Sequence, residues 1–101
     1  MTSFVLETYI PDGSHDRFAG DVDGLQRAVG STGAGSPVRY LASYLVPADE
    51  MAFHLLEADS ARDIERVAGR AGIEAERIVE AVDAESGRWL RREDITRRGA
   101  T

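Results

Sequence analysis

Residues Phe4 to Ile10 (FVLETYI) crowd β-branched and aromatic side chains and stop at Pro11-Asp12-Gly13, which predicts a first strand closed by a turn. Ser14 stands where an N-cap is wanted, and Asp16 follows in the first turn, where negative charge suits the helix dipole. Phe18, Val22, Leu25 and Val29 then recur at spacings of four, three and four. That is one face of a helix of about four turns, with Asp16, Asp23 and Arg27 on the solvated side. Gly30 to Pro37 is a flexible connection. It lacks the Lys-Ser/Thr ending of a phosphate-binding loop, and it follows a helix where a dinucleotide fingerprint follows a strand. Val38 to Val46 and Met51 to Ala58 form a second and third strand, joined by the short turn Pro47-Ala-Asp49-Glu50 into an antiparallel hairpin.

Ser60 and Asp63, three residues apart, resemble a capping box that opens a second helix. Ile64, Val67, Ala68 and Ala71 supply its apolar stripe, and Gly72 suits its C-terminal end. Arg77 to Val82 reads as a fourth strand. The order over residues 4–82 is β-α-β-β-α-β, the α+β ferredoxin-like arrangement. Right-handed crossovers place both helices on one face of a four-stranded antiparallel sheet. The other face, carrying Val, Tyr and Leu, is left bare, and two such sheets pressed together predict a homodimer of the α/β barrel type. Residues 1–82 are thus one ferredoxin-like domain. Residues 83–101 are a C-terminal extension that packs on the domain or on a partner subunit.

Composition narrows the picture. The 101 residues suffice for one domain, and so short a chain without cysteine gains stability most readily by pairing with itself. Eighteen acidic against twelve basic residues give a net charge of −6, which argues against nucleic acid as a partner. The absence of cysteine removes disulfides, thiolate metal sites and a thiol nucleophile. No targeting segment is visible and no apolar run approaches the ~18 residues of a membrane helix, so a cytoplasmic protein is expected.

The residues with chemical potential are few. His54 shares its strand face with Ala52, Leu56 and Ala58, where an imidazole serves as metal ligand, general base or ligand donor, or as a half-buried structural group. Glu7 interrupts the first strand. A carboxylate there is costly without a partner, for which Arg39, Tyr40 and His54 are candidates. Tyr9, Tyr40 and Tyr44 either line a ligand cavity or pack at a dimer interface, with Tyr40 and Tyr44 expected on one face. His15, beside Asp12 and Asp16, is either a helix cap region with solvated charges or a secondary surface ligand for a divalent cation. Nucleophile-elbow and zincin patterns and the aromatic RNA-binding stripe are missing.

The blocks FVLETYIP, PVRYLASYLVPADE, FHLLEADSARDIERVAGRAG and ERIVEAV, in this order and spacing, resemble a family of small bacterial nickel-binding proteins, formerly a group of unknown function. The resemblance covers residues 4–82 and implies a dimeric ferredoxin-like fold and a link to nickel. Where relatives read Cys-Phe-Cys-Leu in the third strand, this chain has Ala52-Phe53-His54-Leu55, so thiol ligation is lost and His54 is the substitute ligand.

The reading that unites these features is a homodimeric protein binding a divalent metal, nickel by resemblance, or a small ligand. Its metal candidates are His54, His15 and Glu7, and its ligand-binding candidates are Tyr9, Tyr40 and Tyr44. The alternative is a cofactor-independent enzyme acting on a small hydrophobic substrate, with Glu7 or His54 as proton shuttle. A structural or regulatory dimer without a site is the third possibility.

Overall fold

The computed structural model describes residues 1–30 and 37–82. The expected order is present: β1 (Thr2–Tyr9), α1 (His15–Gly30), β2 (Arg39–Val46), β3 (Met51–Ala58), α2 (Ala61–Arg70) and β4 (Arg77–Ala81). The strands form one sheet in the order β2-β3-β1-β4, with every neighbouring pair antiparallel. This is the ferredoxin-like fold. The C-terminal extension from residue 83 lies outside the described residues.

Alternation along β1 and β3 divides the sheet into two faces. Phe4, Leu6, Leu56 and Ala58 point toward the helices, where Leu25 and Ala28 of α1 and Ile64, Val67 and Ala68 of α2 close the core over them. Val5, Glu7, Tyr9, Phe53, Leu55 and Glu57 point to the other side, which no helix covers among the described residues.

Local chemistry fixes the ends of the elements. The Ser14 hydroxyl accepts the Arg17 backbone N–H at 3.2 Å, the N-cap bond expected of α1. At α2 the Ser60 hydroxyl instead donates to the Asp63 carboxylate at 3.3 Å, and Asp63, nearly buried, also pairs with Arg66 at 3.0 Å. The helix closes with Gly72 at φ +73°, in the left-handed region that glycine adopts freely. Its N–H bonds to Gly69 and that of Ile73 to Ala68, so two terminal carbonyls are satisfied as the chain turns toward β4.

Two short 3-10 turns, Pro11–Gly13 after β1 and Pro47–Asp49 in the hairpin, abut at one end of the sheet. Ile10 N–H bonds to the Glu50 carbonyl at 2.7 Å, and Asp12 N–H to the Glu50 carboxylate at 2.6 Å. Gly13 has φ +59°, and a Cβ there would lie 2.8 Å from the Pro47 carbonyl oxygen. Only glycine lets the two turns approach so closely.

Candidate functional site

The hairpin turn sets the register of β2 against β3, with Val46 opposite Met51 and, three residues further on each strand, Ser43 opposite His54. Both side chains point to the helix side. His54 is fully buried, its Nδ1 is 2.6 Å from the Ser43 Oγ, and the Tyr40 hydroxyl donates to that Oγ at 2.6 Å. The Phe18 ring of α1 lies nearly parallel to the imidazole, with centroids 6.0 Å apart.

A residue and its third successor face opposite sides of a regular strand, so the Tyr40–Ser43 bond needs an irregularity. One is present: Tyr40 pairs with Leu56 and Ala42 with Leu55, so Leu41 is the extra residue of a β-bulge. The bulge turns Tyr40 to the helix side while Tyr44, opposite Phe53, stays on the open side. The two tyrosines therefore do not share a face, contrary to simple alternation.

The Ser43 hydroxyl, which accepts from Tyr40, can either donate to Nδ1 or accept from it, so the contact fits both neutral tautomers of the ring. The other ring nitrogen, Nε2, is buried and has no hydrogen-bond partner among the described residues. Burial pushes the imidazole pKa down from 6.5 to about 4, so the ring is neutral at physiological pH. His54 is thus a neutral interior group at the end of a hydroxyl chain, closed off by α1. Neither ring nitrogen is open to solvent.

Glu7 lies on the opposite face of the sheet. Its register neighbours are Phe53 and Arg77, and the Arg77 Nε donates to its carboxylate at 3.1 Å. Its partner is Arg77, rather than Arg39, Tyr40 or His54. Arg39 pairs with Glu57 at 3.2 Å. The sheet therefore separates Glu7 from His54, and the two do not converge on one pocket.

The three tyrosines occupy three different settings. Tyr40 joins the half-buried hydroxyl chain that ends on His54, Tyr44 stands 63% exposed on the open face, and Tyr9 sits at the exposed end of β1. His15 is exposed at the start of α1. Asp12 and Glu50 meet through a backbone bond to the Glu50 carboxylate, which positions the turn and uses that carboxylate as an acceptor.

Nickel ligation needs several nitrogen, sulfur or oxygen donors converging on one point. The chain has two histidines and no cysteine, and the described residues contain no group of three His, Cys, Asp or Glu side chains placed to hold a metal ion. With His54 sealed, these residues do not fit a resident nickel ion within one chain.

Ser43 and Phe18 are the partners that sequence reasoning passed over. Ser43 was accessible by counting outward from the hairpin turn, which puts it opposite His54. The ring contact with Phe18 depends on how α1 crosses the sheet, which spacing does not encode.

A second feature lies at the end of β1, where a cavity of about 210 Å³ opens between Thr8, Arg17, Asp21 and the α2–β4 connection at Ile73, Glu74 and Glu76. Burial raises the Asp21 pKa, and the nearby Arg17 guanidinium partly offsets this. No described helix is long and apolar enough to cross a membrane.

Comparison with known proteins bears on the fold and the family. The crystal structure of SCO4226 from Streptomyces coelicolor A3(2) superimposes with a TM-score of 0.68 at 23% identity, covering 81% of this chain and 99% of that one. No curated protein matches the chain. The family model described as nickel responsive protein SCO4226-like matches residues 4–81, which include both helices and nearly the whole sheet. The chain belongs to the SCO4226-like family of nickel responsive proteins.

Proposed function

We propose that the protein is a homodimeric binding protein acting in a nickel-linked setting, paired through the open face of its sheet. A small ligand would be held between the two sheets. The observation that carries this reading is the composition of that face. Val5, Leu55 and Val79 are adjacent in register at its centre, with Phe53 alongside and Tyr44 and Val46 exposed at one edge. Such a surface is costly to leave in water. The Arg39–Glu57 and Arg77–Glu7 pairs flank it. Each pair is neutral, so a two-fold axis can bring the face against its own copy without meeting a like-charge field.

The link to nickel rests on family membership. In this chain it does not run through an ion held by His54 and Glu7, which face opposite ways. The enzyme reading weakens on the same ground, since a proton shuttle needs a group open to substrate. Glu7 is tied to Arg77 and His54 is closed over.

Sedimentation velocity over a hundredfold concentration range tests the assembly. A species of twice the chain mass is expected at micromolar concentration. A monomer throughout that range overturns the proposal.

A further inference from the structure

The described residues complete the sheet and its core by Ala81, and nineteen more follow Val82. We propose that this extension, residues 83–101, docks on the open face of its own sheet through Trp89 and Leu90, and that a second copy must displace it in order to pair. The displacement rests on the pairing proposed above, whereas the docking does not.

The chain leaves the sheet beside that face. β4 is an edge strand, its Val79 and Ala81 stand opposite Val5 and Ser3 on the open side, and Val82 is 55% exposed. Trp89, seven residues on, can lie up to about 24 Å from Val82 when the chain between them is extended. At a strand spacing of about 4.8 Å, the far strand β2 is three spacings, or about 14 Å, from β4. Trp89 therefore reaches every strand of the face. A segment tethered this closely meets the face at an effective concentration of about millimolar, far above that of a second copy at micromolar.

The pattern of the extension complements that of the face. Arg88-Trp89-Leu90-Arg91-Arg92 sets two large apolar side chains between arginines, with no acid among the five. Along the strands the face runs from Glu57, through the apolar row of Leu55, Val5 and Val79, to Glu7. Arg39 engages Glu57 through Oε1, and Arg77 engages Glu7 through Oε2. A carboxylate accepts about four hydrogen bonds, so each has room for a further guanidinium. The wider charge balance has the same sign. Residues 1–82 carry seven arginines against fourteen acids, and the extension five against four. Tryptophan and arginine are also the side chains that most often anchor an interface, the one by its area and the other by charge-assisted bonds.

Trp89 is the only tryptophan of the chain, so its fluorescence reports the extension alone. At a dilution where sedimentation finds the monomer, its emission should be blue-shifted relative to the urea-unfolded chain and shielded from acrylamide. Leu90→Asp, which keeps the fluorophore, should expose it. Val79→Arg and Leu55→Arg, on two strands of the face, should do the same, while Gln26→Glu on the exposed side of α1 should not. In the wild-type chain, quenching should rise as concentration drives pairing. Leu90→Asp should tighten that pairing by at least about tenfold, because two extensions leave their faces for each dimer formed. Trp89 open to acrylamide in the monomer overturns the proposal, as does shielding that survives both Val79→Arg and Leu55→Arg. Shielding found only in the dimer, or weaker pairing in Leu90→Asp, overturns it in favour of docking on the partner. A shielded Trp89 in a chain that stays monomeric at every concentration supports the docking and fails the pairing reading alone.

Discussion

The two faces of the sheet use similar polar residues to opposite ends. On the helix side, short hydrogen bonds join the half-buried Tyr40 and Ser43 to the fully buried His54. On the open side, Glu7 with Arg77 and Glu57 with Arg39 form ion pairs whose arginines are well exposed. A buried neutral chain is expensive to interrupt, since each orphaned group keeps its desolvation cost. A surface ion pair is cheap to interrupt, because water replaces the partner. Exposure to solvent, more than residue type, therefore decides which of these groups the fold depends on and which remain available for assembly.

The largest effect expected from this contrast concerns the open face. Leu55→Arg puts a cation at the centre of the proposed interface, between the register positions of Val5 and Ala42. Burying it unpaired should raise the dimer dissociation constant by at least about a hundredfold, with little change in the folded monomer. Sedimentation equilibrium measures the shift. A dimer of unchanged affinity would mean that the open face is not the interface.

On the covered side, Ser43→Ala removes the hydroxyl that links Tyr40 to His54 and leaves the imidazole Nδ1 without its partner. Urea unfolding at pH 7 should show a loss of about 2 kcal/mol. A loss below about 0.5 kcal/mol would indicate that the chain is not a structural element.

His54 adds a pH signature of similar size. Its folded pKa, about 4, lies below the ordinary 6.5, so the unfolded chain takes up the proton first as the pH falls. Stability from this group is therefore intact above 6.5, declines through the window between 6.5 and about 4, and levels off below it. At pH 5 the decline amounts to about 2 kcal/mol. Subtracting the unfolding free energy of His54→Leu from that of the wild type cancels the carboxylates common to both. The difference should shift against the wild type by about 2 kcal/mol between pH 7 and pH 5. A flat difference would show that the imidazole is reached by water.

Much of this fold was legible in the sequence for a physical reason. Period-two alternation in residues 51–58 and the four-three-four spacing from Phe18 to Val29 arise from the same burial that the fold requires. The placement of both helices on one side of the sheet followed from crossover handedness, and the open face followed from that. The candidate site was less legible. One inserted residue at Leu41 reverses which side Tyr40 faces, and no local propensity announces it. Glu7 was recognised as needing a partner, but Arg77 lies seventy residues away in sequence and became its neighbour only through the pairing of β1 with β4.

The smallest predicted effect is the sharpest check on the contrast between the faces. Glu7→Gln keeps the size of the side chain and removes its charge opposite Arg77, whose side chain is 63% exposed. If the pair acts as a surface pair, the folded monomer should lose no more than about 1 kcal/mol. The Glu7 side chain itself is 17% exposed, so packing of a second sheet over it would remove much of the remaining water. In that environment the same substitution leaves the Arg77 cation buried without its counter-charge. Measured on the dimer, Glu7→Gln should therefore weaken association more than it weakens the fold of the isolated chain. Combining it with Leu55→Arg, which abolishes pairing, should return its cost to the surface value. Equal costs in the paired and unpaired backgrounds would mean that Glu7 stays in water in both states, so that the interface does not extend to the β1–β4 side of the sheet.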